Sequence, residues 1–91
     1  MGSIDIVRLL FNYGAYHFTE HLFAELDNDG FTIYDLECVV ANGRIRRSWP
    51  KEKKFEVIGK SYDNRLMAFI CRITINQKLI IITAYEDKTK K

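Results

Sequence analysis

Apolar residues in the first half of the chain recur every three or four positions, the period of an amphipathic helix. This spacing predicts two or three helices, within residues 3–14, 19–28 and 32–42. Thr32 and Asp35 have the spacing of a capping box at the start of the last segment. Asn42-Gly43 then predicts a residue in the left-handed conformation where that helix ends.

After Gly43 the period changes to the alternation that is typical of strands. Three segments rich in β-branched and aromatic residues, 55–62, 66–75 and 79–85, are separated by turn sequences. We expect an antiparallel meander of three strands, or of four if residues 44–49 join it. The expected fold class is α+β, with two or three N-terminal helices packed on one face of a three- to four-stranded antiparallel sheet. Residues 1–91 should form a single domain whose residues 88–91 are a frayed basic tail.

Alternation along the strands divides their side chains into an uncharged set and a mixed set. The uncharged set should face the helices and contains Phe55, Val57, Gly59, Met67, Phe69, Cys71, Ile73, Ile80, Ile82 and Ala84. The mixed set includes Lys60, Arg72, Thr83 and Tyr85. It should line the other face, which could be the floor of a site for an anionic ligand. A solvated face with cross-strand pairs, such as Glu56 with Arg72, is the alternative.

Charge is divided unevenly between the two halves of the chain, whose net charge is +2. Residues 1–43 contain seven acidic residues and one basic residue, whereas residues 44–91 contain thirteen basic and five acidic residues. Such asymmetry is typical of contact with a nucleic acid or a membrane surface, although ordinary surface lysines would also produce it. The densest basic stretch is Arg44, Arg46, Arg47, Trp49, Lys51, Lys53 and Lys54. Arginine binds phosphate and tryptophan stacks on unpaired bases, but a charged edge strand that deters pairing fits equally well.

Several classes of protein are not expected from this sequence. No apolar run approaches the ~20 residues that cross a bilayer, and the first residues lack the features of a signal peptide. Cys38 and Cys71 lie in apolar segments and are expected to be reduced core thiols of a cytoplasmic protein. The absence of a Walker motif and of a nucleophile elbow makes ATP or dinucleotide chemistry unexpected.

Two histidines offer proton-transfer chemistry. His17 and His21 have the i, i+4 spacing that shares one face of a helix, but a third zinc ligand is not evident, so no metal site is expected. His21 could instead act as a general base or contact a phosphate. A structural or surface histidine is the alternative.

Five segments occur in a recognisable order: YHFTEH at 16–21, DGFTIYDLE at 29–37, VVANGRI at 39–45, FEVIGK at 55–60 and IIITAYE at 80–86. In this order and spacing, residues 16–87 resemble a small uncharacterised bacterial family related to BrnT, in the RelE/ParE toxin superfamily. The resemblance implies a RelE-like fold whose concave sheet face cradles messenger RNA. It also implies a cognate antitoxin as partner protein, and it leaves a homodimer open.

The activity implied by the resemblance is that of the toxin in a toxin–antitoxin system, a metal-independent endoribonuclease without a cofactor. In this reaction a ribose 2′-hydroxyl attacks the adjacent phosphate with the help of a base, cations and an acid. The candidate catalytic residues are Lys60, Arg72, Tyr85 and His21, and the candidate RNA contacts are Arg44, Arg46, Arg47, Trp49, Lys54 and Thr83. A non-catalytic module that binds RNA or protein is the alternative, because Asp29 stands where members of that family often carry arginine.

Overall fold

Three helices cover one side of a five-stranded mixed sheet in the computed structural model, which describes residues 2–88. In chain order the elements are α1 (Ser3–Asn12), β1 (Tyr16–Phe18), α2 (Glu20–Asn28), α3 (Ile33–Asn42), β2 (Arg44–Trp49), β3 (Lys54–Lys60), β4 (Leu66–Ile73) and β5 (Leu79–Glu86). A 3₁₀ turn, Pro50–Glu52, joins β2 to β3. The strand order is β1-β5-β4-β3-β2. Of the expected frayed tail, Lys88 is exposed and residues 89–91 lie outside the described part of the chain.

The α+β class and the three N-terminal helices are confirmed, but a purely antiparallel sheet of three or four strands is wrong. The additional strand is β1, which runs parallel to β5 with Tyr16 opposite Leu79. The Leu79 N–H donates to the Ala15 carbonyl at 2.8 Å, and the Thr19 N–H donates to the Ile81 carbonyl at 3.3 Å. Three residues are too few to show a period of two, so only pairing with a distant strand defines this one.

The core lies between the helices and one face of the sheet, as strand alternation predicts for most positions. Val57, Met67 and Phe69 are fully buried there. On β5, however, Leu79 and Ile81 are fully buried, whereas Ile80 and Ile82, which were expected to be in the core, are only partly buried.

The cause is an irregularity in the pairing of β4 with β5. Ile70 lies opposite Thr83, but the next residue, Cys71, lies opposite Ile81. Ile82 is therefore the extra residue of a β-bulge, and the alternation of β5 reverses at that point. Sequence alternation alone cannot locate such an inserted residue.

The ends of α3 hold it to the sheet. The capping box of Thr32 and Asp35 is confirmed, and the second carboxylate oxygen of Asp35 accepts the Tyr62 N–H at 3.0 Å. The left-handed conformation expected at Gly43 is wrong, because its φ is −82°. Glycine is needed there for close approach: a Cβ would lie 2.5 Å from the Val39 carbonyl oxygen.

Segments that carry the family resemblance also hold this framework together. The Asn42 side chain donates to the Lys60 carbonyl at 2.8 Å and accepts the Lys60 N–H at 2.8 Å. Arg65 donates to the carbonyls of Asp29 and Gly30 at 2.8 and 2.9 Å, and its guanidinium lies 4.1 Å from the centroid of the Phe31 ring. These contacts fix the helical layer against the start of β4.

Candidate nucleic-acid interface

The face of the sheet that points away from the helices, called the open face below, has a buried carboxylate at its centre. Glu56 lies on this face of β3 and is only 2% exposed. It accepts two hydrogen bonds from Arg46, at 3.0 and 3.2 Å, and one from the Tyr85 hydroxyl. Arg46 also pairs with Asp87, and the more exposed Arg47 approaches Glu56 at 3.5 Å. The pairing of Glu56 with Arg72, given as an example in the alternative interpretation of this face, is wrong, because Glu56 lies opposite Ile70 and Arg72 opposite Lys54.

This network determines what its members can do chemically. Burial by itself would raise the pKa of Glu56, but hydrogen bonds from Arg46 and Tyr85 bring it below the ordinary value. Burial, followed by the hydrogen bond to Glu56, raises the pKa of Tyr85. Tyr85 therefore keeps its proton and directs it at Glu56, which makes it a poor base. Hydrogen bonds to Glu56 and Asp87 raise the pKa of Arg46. The positive charge of Arg46 is therefore already paired with carboxylates of the protein.

A second group of side chains crosses the open face near the start of β3. Trp49 lies opposite Lys54, Lys54 opposite Arg72, Arg72 opposite Ile80, and Ile80 beside His17. These five residues, one from each strand, are called the transverse row below. Register partners on neighbouring strands point to the same face. The row therefore spans the whole sheet and places an indole, two cations and an imidazole on one side of it.

The cations of the transverse row are not balanced by carboxylates in the way that Arg46 is. The Lys54 ammonium lies 5.0 Å from the centroid of the Trp49 ring and 3.1 Å from a Glu52 carboxylate oxygen. That carboxylate is exposed, so the pair contributes little. Arg72 is exposed and makes no ion pair within residues 2–88. Lys54 and Arg72 are nevertheless direct neighbours, an arrangement of like charges that destabilises a sheet.

The remaining predicted site residues are spread over the molecule. Lys60 shares the open face but lies opposite Leu66, six residue positions along β4 from Arg72. At ~3.3 Å per residue this is about 20 Å, so Lys60 and Arg72 do not converge on one phosphate. Arg44, opposite Ile58, lies toward the Lys60 end, and Thr83, opposite Ile70, lies near the middle.

The two histidines are placed differently from the sequence-based expectation. His17 and His21 do not share a helix face, because His17 is in β1 and only His21 is in α2. His21 is 64% exposed and pairs with Glu25 at 3.3 Å, whereas His17 lies on the open face. Within the described residues no group of three or more His, Cys, Asp or Glu side chains could hold a metal ion. His17 could have been placed on the open face from the sequence only if residues 16–18 had been recognised as a strand.

Residues 18–86 match the family model described as "Domain of unknown function (DUF4258)". The chain belongs to this family. The DUF4258 match covers four of the five strands completely and begins at the residue after His17. No curated protein and no solved structure matches the chain significantly. In addition, no helix within residues 2–88 is both long and apolar enough to cross a membrane.

Proposed function

We propose that the open face binds single-stranded RNA along the transverse row. The observation that carries the proposal is the direct apposition of Lys54 and Arg72. This like-charge pair costs folding free energy, and a phosphate held between the two side chains would offset that cost. Trp49, at the end of the row, offers a ring on which an unpaired base can stack.

The resemblance to the BrnT-related family gives this RNA-binding face a biological setting. The chain would then be the toxin-like component of a toxin–antitoxin pair, a metal-independent endoribonuclease that acts on messenger RNA and is restrained by a partner protein. The charge of the second half of the chain supports the RNA contact, since most basic residues lie in it.

A non-catalytic RNA-binding module is the second candidate, and one distance and one hydrogen bond favour it. Lys60 and Arg72 are about 20 Å apart along the sheet, by the strand rise of ~3.3 Å per residue. The Tyr85 hydroxyl is directed at Glu56 rather than at solvent. The catalytic group proposed from sequence therefore does not assemble around one phosphodiester bond, and any cleavage requires a different set of residues.

Binding can be measured by fluorescence anisotropy with a labelled single-stranded RNA of mixed sequence at several salt concentrations. Arg72→Ala should weaken binding and reduce the slope of log K against log salt by about 0.7. Trp49→Ala should weaken it by about 1–3 kcal/mol through loss of stacking. Lys60→Ala is the matched comparison, because it removes an exposed cation from the far end of the same face.

Equal losses in Arg72→Ala and Lys60→Ala would show that the RNA does not follow the transverse row. No binding by the wild-type protein, or binding without salt dependence, would reject the proposed function. Growth of bacteria that express the chain, with and without the neighbouring gene, tests its toxin-like role separately.

A further inference from the structure

The transverse row contains a group that the sequence-based catalytic set did not include. His17 is exposed on β1, and its register partner Ile80 is also the partner of Arg72. His17 and Arg72 are thus two strands apart on the open face, about 10 Å between Cα atoms at ~4.8 Å per strand spacing. Both side chains are long enough to reach one phosphodiester group that lies over Ile80.

The space over Ile80, between His17 and Arg72, is accessible, and the neighbouring residues define its polarity. Ile80 is partly buried and uncharged, so it provides an apolar floor between an imidazole and a guanidinium. The flanking residues Tyr16 and Phe18 pack against the core and hold β1 in place. His17 is therefore fixed on a strand rather than on a loop, which favours a defined position for its side chain.

We propose that His17 and Arg72 form a cleavage centre on the open face, an inference that rests on RNA binding along the transverse row. His17 accepts the proton of a ribose 2′-hydroxyl as that oxygen forms a bond to the adjacent phosphorus. The bond from phosphorus to the 5′-oxygen breaks, the leaving oxygen takes a proton from water, and the hydroxide that remains takes up the proton held on His17, which restores the base. Arg72 donates hydrogen bonds to the phosphate oxygens on which negative charge develops. The products are a 2′,3′-cyclic phosphate and a 5′-hydroxyl.

The other proton-transfer candidates are placed less favourably for this step. His21 lies on α2, in the helical layer, and is paired with Glu25. The Tyr85 hydroxyl donates to Glu56, which is buried. His17 is the histidine that shares a register row with a cation free of carboxylate partners within residues 2–88.

The test uses the full chain and a 5′-labelled single-stranded RNA of mixed sequence, with a DNA strand of the same sequence as second substrate. His17→Gln should lower the cleavage rate by about 100-fold or more, the usual contribution of a general base, and reduce RNA affinity by a much smaller factor. Glu37→Gln, at an exposed position of α3 in the helical layer, is the control variant and should cleave like the wild type. His21→Gln is compared as a change at the other candidate base. Imidazole added to His17→Ala should restore part of the rate, which a purely structural role for His17 would not produce.

The possible outcomes separate this inference from the proposed function. If the wild-type protein binds the RNA but does not cleave it, or if His17→Gln cleaves at the wild-type rate, the cleavage centre is rejected and RNA binding stands. If His21→Gln loses activity instead, the centre lies elsewhere. If no RNA is bound, both proposals fail. Cleavage of the DNA strand would also overturn the inference, because DNA lacks the 2′-hydroxyl.

Discussion

Replacing Arg46 with methionine should destabilise the protein by about 3 kcal/mol, because the change leaves the Glu56 carboxylate buried without its principal partner. Glu56 is 2% exposed, and Arg46 supplies two of its hydrogen bonds, at 3.0 and 3.2 Å. Removing one member of a buried ion pair typically costs about 3–5 kcal/mol. The lower end of that range applies because Tyr85 still donates to Glu56 and Arg47 remains at 3.5 Å.

The reverse change, Glu56→Gln, should cost less, about 1.5–3 kcal/mol, the value of one hydrogen bond to a charged group. Arg46 would keep Asp87 as a partner, and its side chain is 27% exposed and therefore reaches water. The double variant should be less destabilised than the sum of the two single variants, because both changes remove the same interaction.

Urea unfolding at pH 7, followed by circular dichroism, measures these differences. Arg44→Met is the control, since Arg44 is an exposed arginine of the same strand without an ion pair in the described part of the chain, and it should change stability by about 0.5 kcal/mol or less. A loss below about 1 kcal/mol in Arg46→Met would refute the reasoning. So would equal losses in Arg46→Met and Arg44→Met.

Four further outcomes are expected, and each can be measured as a shift in the urea unfolding midpoint or as a change in the dependence of stability on pH. Because the pKa of Glu56 is lowered in the folded state, its stabilisation is present above the ordinary carboxyl pKa of ~4.3 and is lost as pH falls through the lowered value. Glu56→Gln should therefore flatten the acid limb of the stability curve, and an unchanged limb would contradict this. Phe69→Ala should cost about 3–5 kcal/mol, since Phe69 is fully buried, and a loss below about 1 kcal/mol would contradict the observed register. Gly59→Ala should cost about 1–3 kcal/mol, because its Cβ would lie 2.5 Å from the Asn42 side-chain oxygen; a neutral result would mean that this contact relaxes freely. Asp35→Ala should cost about 2 kcal/mol by loss of the helix cap, and a change under about 0.5 kcal/mol would argue against the capping role.

Local sequence signals predicted the parts of this fold that depend on local interactions. The capping box of Thr32 and Asp35 is such a signal, because its hydrogen bonds join residues three positions apart. By contrast, β1 is defined by pairing with β5, and the bulge at Ile82 is defined by the register between two strands. Neither feature changes the spacing of apolar and polar residues along the sequence.

In the candidate site, too, local features could be predicted from the sequence and features that depend on distant residues could not. Alternation correctly placed Lys60, Arg72 and Tyr85 on one face, because the face of a residue follows from local backbone geometry. The distances between these residues depend on the register of the strands, and that register places Lys60 far from Arg72 along the sheet. The partner of Tyr85 could not be foreseen either, since its hydroxyl reaches a residue twenty-nine positions away in sequence.

The parallel pairing of β1 with β5 has a consequence for the order in which the protein folds. Strands β2 to β5 are consecutive neighbours and can pair through short connections. Strand β1, by contrast, cannot pair until β5, which begins at Leu79, has formed. Closing so long a loop carries an entropic cost before its contacts form. We expect the meander to form first and β1 to dock last, so its amide protons should exchange with solvent fastest among the strands. On the ribosome, His17 would emerge before strands β2 to β5 and yet reach the open face only after β5 had been synthesised.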